Sequence, residues 1–177
     1  MFDPGMGAFL NWIHRLSGPR MFGGSVSYFS PSVFAGGPNE GGLLRARITG
    51  AYRHSFSSDD KIDPDGSAIA MISFEPMVEI HLARFGGQNQ YTIDFAAGAS
   101  LNWLRGDITD SFLHTSFPAY FQFGLLLSNN VFLKLGLGGH WWPQFDASDF
   151  APLVVDVETT KGEFTPAAVL GFDFLIF

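Results

Sequence analysis

The chain has no cysteine. Disulfides and thiol chemistry are excluded, while the compartment stays open, because an oxidising one permits disulfides without requiring them. Charge is scarce: 15% of residues are Asp, Glu, Lys or Arg, against about 25% in ordinary soluble domains. No run approaches the roughly 18 consecutive apolar residues that a membrane-spanning helix needs. The formal charge is −7, without the basic surface that nucleic acid demands, so nucleic acid is not an expected partner. The start, MFDPGMG, shows no basic stretch followed by an apolar one, and no signal peptide is visible. Phosphate-binding glycine motifs are missing, and the acidic run SSDDKIDPDG at 57–66 lacks the ligand order of a calcium loop. No cofactor and no metal site are expected.

What the chain does have is phenylalanine and glycine, 20 and 21 in 177 residues, and a period of two. In MISFEPMVEIHLARF (71–85), Ile72, Phe74, Pro76, Val78, Ile80 and Leu82 alternate with Ser73, Glu75, Met77, Glu79 and His81. Such alternation is a β-strand with one dry and one polar face. Strands are expected near 20–30, 43–56, 68–84, 91–105, 114–127, 130–142 and 164–177, with a weaker one near 152–159. Turn residues punctuate them, as in AGGPNEGG (35–42) and FGGQNQ (85–90). Long consecutive strands joined by turns predict an all-β, antiparallel up-and-down barrel of about eight strands, which leaves no open edge.

The first residues read differently. In GAFLNWIHRL (7–16), Phe9, Trp12, Ile13 and Leu16 fall at helical spacing, and Gly18–Pro19 follow as a stop. A short amphipathic helix over this stretch is expected, either packed on the barrel or lying in a membrane interface. The chain thus divides into an N-terminal helical segment, 1–19, and a barrel, 20–177.

Alternation alone does not say which face is wet. The polar face decides it. A solvated outside is rich in long charged side chains. Here that face is mostly Gly, Ser, Thr and Asn with a few charges of both signs: Arg45, Arg47, Arg53 and Lys134 against Glu75, Glu79, Asp94 and Asp173. Small residues suit the crowded inside of a narrow barrel, and the eight charges are predicted to pair there as an ionic network in the lumen. The dry face runs to Phe, Leu and Ile, which suits hydrocarbon. Tyr28, Tyr52, Trp103, Trp141 and Trp142 sit near strand ends, where a transmembrane barrel keeps its aromatic girdle.

The final strand, VLGFDFLIF, alternates hydrophobics and ends in phenylalanine. In this it resembles the assembly signal of bacterial outer-membrane barrels, and residues 20–177 as a pattern resemble the small eight-stranded OmpA/OmpX/OmpW-like group. The resemblance implies an integral protein of the bacterial outer membrane, partnered by outer-membrane lipid and by the barrel assembly machinery through the C-terminal strand. It implies a structural, adhesive or small-solute role. Two departures stand out. Phe177 is out of phase with Phe172, Phe174 and Ile176. Counting the weak strand at 152–159 makes eight but puts the longer loops at the periplasmic end. Dropping it restores the loop rule and requires a first strand from upstream.

Two other functions fit the same residues. His81 and His140 share the polar face with Ser73, Ser116, Glu75 and Glu79, the ingredients of a barrel-wall lipid-modifying hydrolase or acyltransferase. No motif singles out a nucleophile, and no catalytic residue is assigned. A soluble lipocalin-like barrel would reverse the faces and line a ligand cavity with the phenylalanines.

Overall fold

The computed structural model describes residues 4–13, 20–35, 42–55, 69–87, 90–106, 112–143 and 162–176. Eight antiparallel strands form the wall: β1 (Gly5–Ile13), β2 (Met21–Phe29), β3 (Gly42–Ser55), β4 (Ile69–Phe85), β5 (Tyr91–Gly98, resuming over Ser100–Gly106), β6 (Phe112–Ser128), β7 (Val131–Trp142) and β8 (Glu163–Leu175). Each pairs with its neighbours in sequence, and β1 pairs with β8 from Gly5↔Leu175 to Ile13↔Ala167, which closes the barrel. A three-residue strand, Val33–Ala35, pairs with β3 where it extends past β2.

The N-terminal helix is not there. Gly5–Ile13 is a strand whose burial alternates residue by residue. Phe9 and Ile13 turn into the barrel, whereas Trp12 turns outward with Met6 and Leu10. Phe9, Trp12 and Ile13 mimic a helical stripe because the inner face of β1 carries two large apolar residues, so neither face reads as polar. Leu16 lies outside the described residues. The domain boundary at 19/20 goes with the helix, since β1 is part of the barrel wall. It also resolves the strand count: the first strand is this one. The segment 152–159 and Phe177 lie outside the described residues.

Two irregularities have local causes. β5 is interrupted at Ala99, where it faces Pro76. Ala99 N–H donates to Pro76 O at 3.1 Å, but proline has no N–H to return the bond. In β4, His81 pairs with Asp94 while Ala83 pairs with Ile93, so Leu82 is an extra residue. This bulge flips the phase. Arg84, which a regular strand would put beside Leu82 on the dry face, comes opposite the inward Thr92 instead, and Phe85 turns out to stack on Tyr91 at 5.4 Å.

The two faces are those expected. Val26, Phe121 and Leu137 are about 60% exposed, and Phe, Leu, Ile and Val continue around the outer wall. All eight predicted lumen charges are at most 4% exposed. Most of the phenylalanines among the described residues point outward, so the lipocalin-like reading, which needs them lining a cavity, does not match this wall.

Candidate functional site

The inner face holds two polar networks, one towards each end. The end carrying both termini, where Ile176 N–H donates to Pro4 O, contains the denser one. Arg45 and Arg47 come from β3, Glu79 and His81 from β4, Asp94 from β5, Lys134 from β7 and Asp173 from β8. Register puts Arg45 opposite Glu79, and Arg45 Nε donates to Glu79 Oε1 at 2.8 Å. The contacts to Asp173 cross the lumen. Arg45 Nη2 reaches Asp173 Oδ2 at 3.0 Å, and Arg47 Nη2 reaches both Asp173 oxygens at 2.8 Å. Arg47 Nε lies 3.3 Å from Glu79 Oε2. Lys134 and His81 both contact Asp94, which also accepts from Thr92 Oγ1 at 3.1 Å.

Room for these long side chains comes from small neighbours. A Cβ on Gly7 would lie 2.5 Å from the Phe9 ring and one on Gly171 2.8 Å from it. Phe9 therefore occupies space that only glycines leave. Arg47 stands over Phe9 and Phe29, and Arg45 over Phe29 at 4.1 Å from the ring centre. Such cation–π stacking helps hold a desolvated guanidinium.

The second network lies towards the other end. Arg53 donates to Glu75 Oε1 at 2.8 Å and to Ser73 Oγ at 2.9 Å. Asn102 Oδ1 accepts from Ser73 and Ser100, both at 2.8 Å, and Asn102 Nδ2 donates to Ser116 at 2.9 Å. His140 stands between Ser116 Oγ (3.0 Å to Nδ1) and Tyr120 Oη (2.7 Å to Nε2). Above it, Ile13, Met21, Met71 and Trp142 form an apolar cap, each at most 2% exposed.

Trp142 thus corrects an expectation. It is not in the girdle. It faces inward, donates from Nε1 to Thr165 Oγ1 at 2.9 Å and stacks on His140. Adjacent residues on a strand face opposite sides, so Trp141 and Trp142 cannot both meet lipid. Tyr28, Tyr52, Trp103 and Trp141 do point outward, each 45–55% exposed, and Trp12 joins them.

All eight predicted charges meet in the lumen, though in two groups rather than one. Arg53 and Glu75 pair apart from the other six. Sequence reasoning misplaced Phe9 and Ile13 and missed Asn11 through the helical reading, and it missed Arg84, hidden by the bulge. Among the described residues, Ser116 and His140 do not form a hydrolase triad. Ser116 accepts from Asn102, the second nitrogen of His140 meets a tyrosine instead of a carboxylate, and the pair is fully buried beneath Trp142. Glu79, His81 and Asp94 bring three potential metal ligands within 4.8 Å of one another. Their carboxylates are already neutralised by Arg45, Arg47 and Lys134, a surrounding that repels a cation.

No family model matches the sequence, and no curated protein does. Solved structures do match the fold along almost its full length. Neisserial surface protein A aligns with a TM-score of 0.61 at 13% identity, over 99% of this chain and 97% of that one. The N-terminal β-barrel domain of Pseudomonas aeruginosa OprF gives 0.53 at 13% identity, over 98% and 100%. Ail, the attachment invasion locus protein of Yersinia pestis, gives 0.51 at 9% identity, over 98% and 97%, and was also solved with the heparin analogue sucrose octasulfate. The chain has the fold of the small eight-stranded outer-membrane barrels.

Proposed function

We propose that this chain is an integral protein of the bacterial outer membrane, a closed barrel with a structural or adhesive role. The observation that carries this reading is the pairing of an apolar outer wall with a charged, buried interior. In water that wall would expose a continuous hydrophobic surface far beyond the few hundred Å² that soluble monomers tolerate. In a bilayer it is the lipid face.

The interior argues against a channel. Ion pairs cross the lumen near one end and an apolar cap covers the other. Work is therefore done by the rim. The connections 14–20, 56–68, 107–111 and 143–162 leave the end away from the termini, the extracellular end in this family, and they are on average the longer ones. They hold ten of the chain's 17 carboxylates against Arg15, Arg20, Lys61 and Lys161. An acidic rim favours a cationic or neutral partner, unlike the sulfated ligand solved with Ail. β8, the C-terminal strand that closes on β1, is the element offered to the barrel assembly machinery.

The test combines two measurements on protein refolded in detergent. Heat-modifiable migration on gels and absence of a large, steady conductance in planar bilayers are expected. A stable pore of porin size would sink the closed-barrel reading. Retention on a heparin column at low salt would sink the assignment of the acidic rim.

A further inference from the structure

The network beneath the apolar cap has a direction. Asn102 Nδ2 donates to Ser116 Oγ, so the Ser116 hydroxyl proton goes to its other partner, His140 Nδ1. An accepting Nδ1 puts the imidazole proton on Nε2, and the ring is neutral. Nε2–H then donates to Tyr120 Oη, which leaves the tyrosine's own O–H to donate elsewhere. Tyr120 lines a mid-lumen cavity of about 20 Å³.

Three other polar atoms of residues lining that cavity lack a hydrogen-bond partner in the protein. Arg47 Nε has its counter-charge, Glu79 Oε2, at 3.3 Å; the remaining two are Asn11 Nδ2, a donor, and Gln122 Oε1, an acceptor. The Asn11 amide is oriented by Ser25 Oγ, which donates to its Oδ1 at 3.4 Å. An occupant that satisfies both must accept from Asn11 and donate to Gln122. A metal ion or an ammonium ion cannot accept, a halide cannot donate, and an apolar group does neither. Water does both, and the cavity has the size of one molecule. Leaving the two atoms bare would forfeit the hydrogen bonds they make to water in the unfolded chain.

We propose that the mid-lumen cavity is a binding site for a single ordered water, held by Asn11 and Gln122 with Tyr120 as a further donor. Arg47 of one network and Glu75 of the other also line the cavity. The water therefore stands between the two ion-pair groups, at the level where direct side-chain contact between them gives way. The inference rests on lumen geometry and not on the membrane reading; a dry cavity would leave the closed barrel standing.

The test uses the refolded full chain with ¹⁵N-asparagine in detergent micelles and reads water-to-side-chain-amide cross-relaxation. Asn11 should show a cross-peak with a long-lived water. Asn102, whose amide is already bonded to Ser100 O and Ser116 Oγ, should show none. Gln122→Met keeps side-chain length but removes the acceptor, and it should abolish the Asn11 cross-peak while the amide spectrum stays folded. No cross-peak at Asn11, equal cross-peaks at Asn11 and Asn102, or an Asn11 cross-peak that survives Gln122→Met would each overturn the assignment.

Discussion

Glu79 balances three cations, Arg45, Arg47 and Lys134, and is fully buried. Its removal leaves that network with one positive charge too many in a place without bulk water. Glu79→Ala should therefore destabilise the barrel by about 3–5 kcal/mol, read as a lower urea midpoint for unfolding in detergent. Replacing Arg45 and Glu79 together by methionine should cost less, because Arg47 and Lys134 then still face Asp94 and Asp173. If the single variant matches wild type, the lumen is wetter than its geometry indicates. Glycine matters in the same crowded space. A Cβ on Gly136 would sit 2.5 Å from Val169 Cγ2, and Val169 borders the mid-lumen cavity. Gly136→Ser should cost about 1–3 kcal/mol as an overpacking change, and Val169→Ala should recover part of it in a double variant.

At the scale of the element, β1 shows how a local pattern can be outvoted. Gly5–Ile13 offers Met6, Ala8, Leu10 and Trp12 on one side, a period of two as clear as any in the chain. Phe9 and Ile13 on the other side blur it into a helical stripe. Nothing within the segment breaks the tie. What does is the free edge that β2 and β8 would present without it, since both pair with β1 along its length. Deleting residues 5–13 should accordingly abolish refolding and heat-modifiable migration, with loss of the β-sheet circular dichroism. A deletion variant that keeps its sheet signal would mean that β1 is dispensable to the wall. The same logic covers Arg84. Its direction is set by a bulge that only the pairing of β4 with β5 defines.

For the whole molecule the question is which face meets lipid. Leu135 is mid-strand on β7, flanked by Phe123 and Leu170 on the outer wall. Leu135→Arg should cost about 2–4 kcal/mol if it lies at the bilayer midplane and should lower the yield of refolding into lipid vesicles. Unchanged refolding would reverse the assignment of faces. The barrel, its polar inside and the membership of eight charges in the lumen were all legible in the chain. Alternation over long strands reports faces directly, and small residues among sparse charges report confinement. Arginine–glutamate pairs on neighbouring strands were legible too, as in Arg45–Glu79 and Arg53–Glu75, but partners across the lumen were not. Asp173 and Arg47 are 126 positions apart in sequence and meet because β3 and β8 face each other across the lumen, a distance that closure alone sets. Trp142, Asn11 and Arg84 were likewise placed by register and bulge, which depend on what each strand finds beside it. Periodicity is a property of one strand and is written in its residues; which side chains touch across a barrel is a property of the closed sheet.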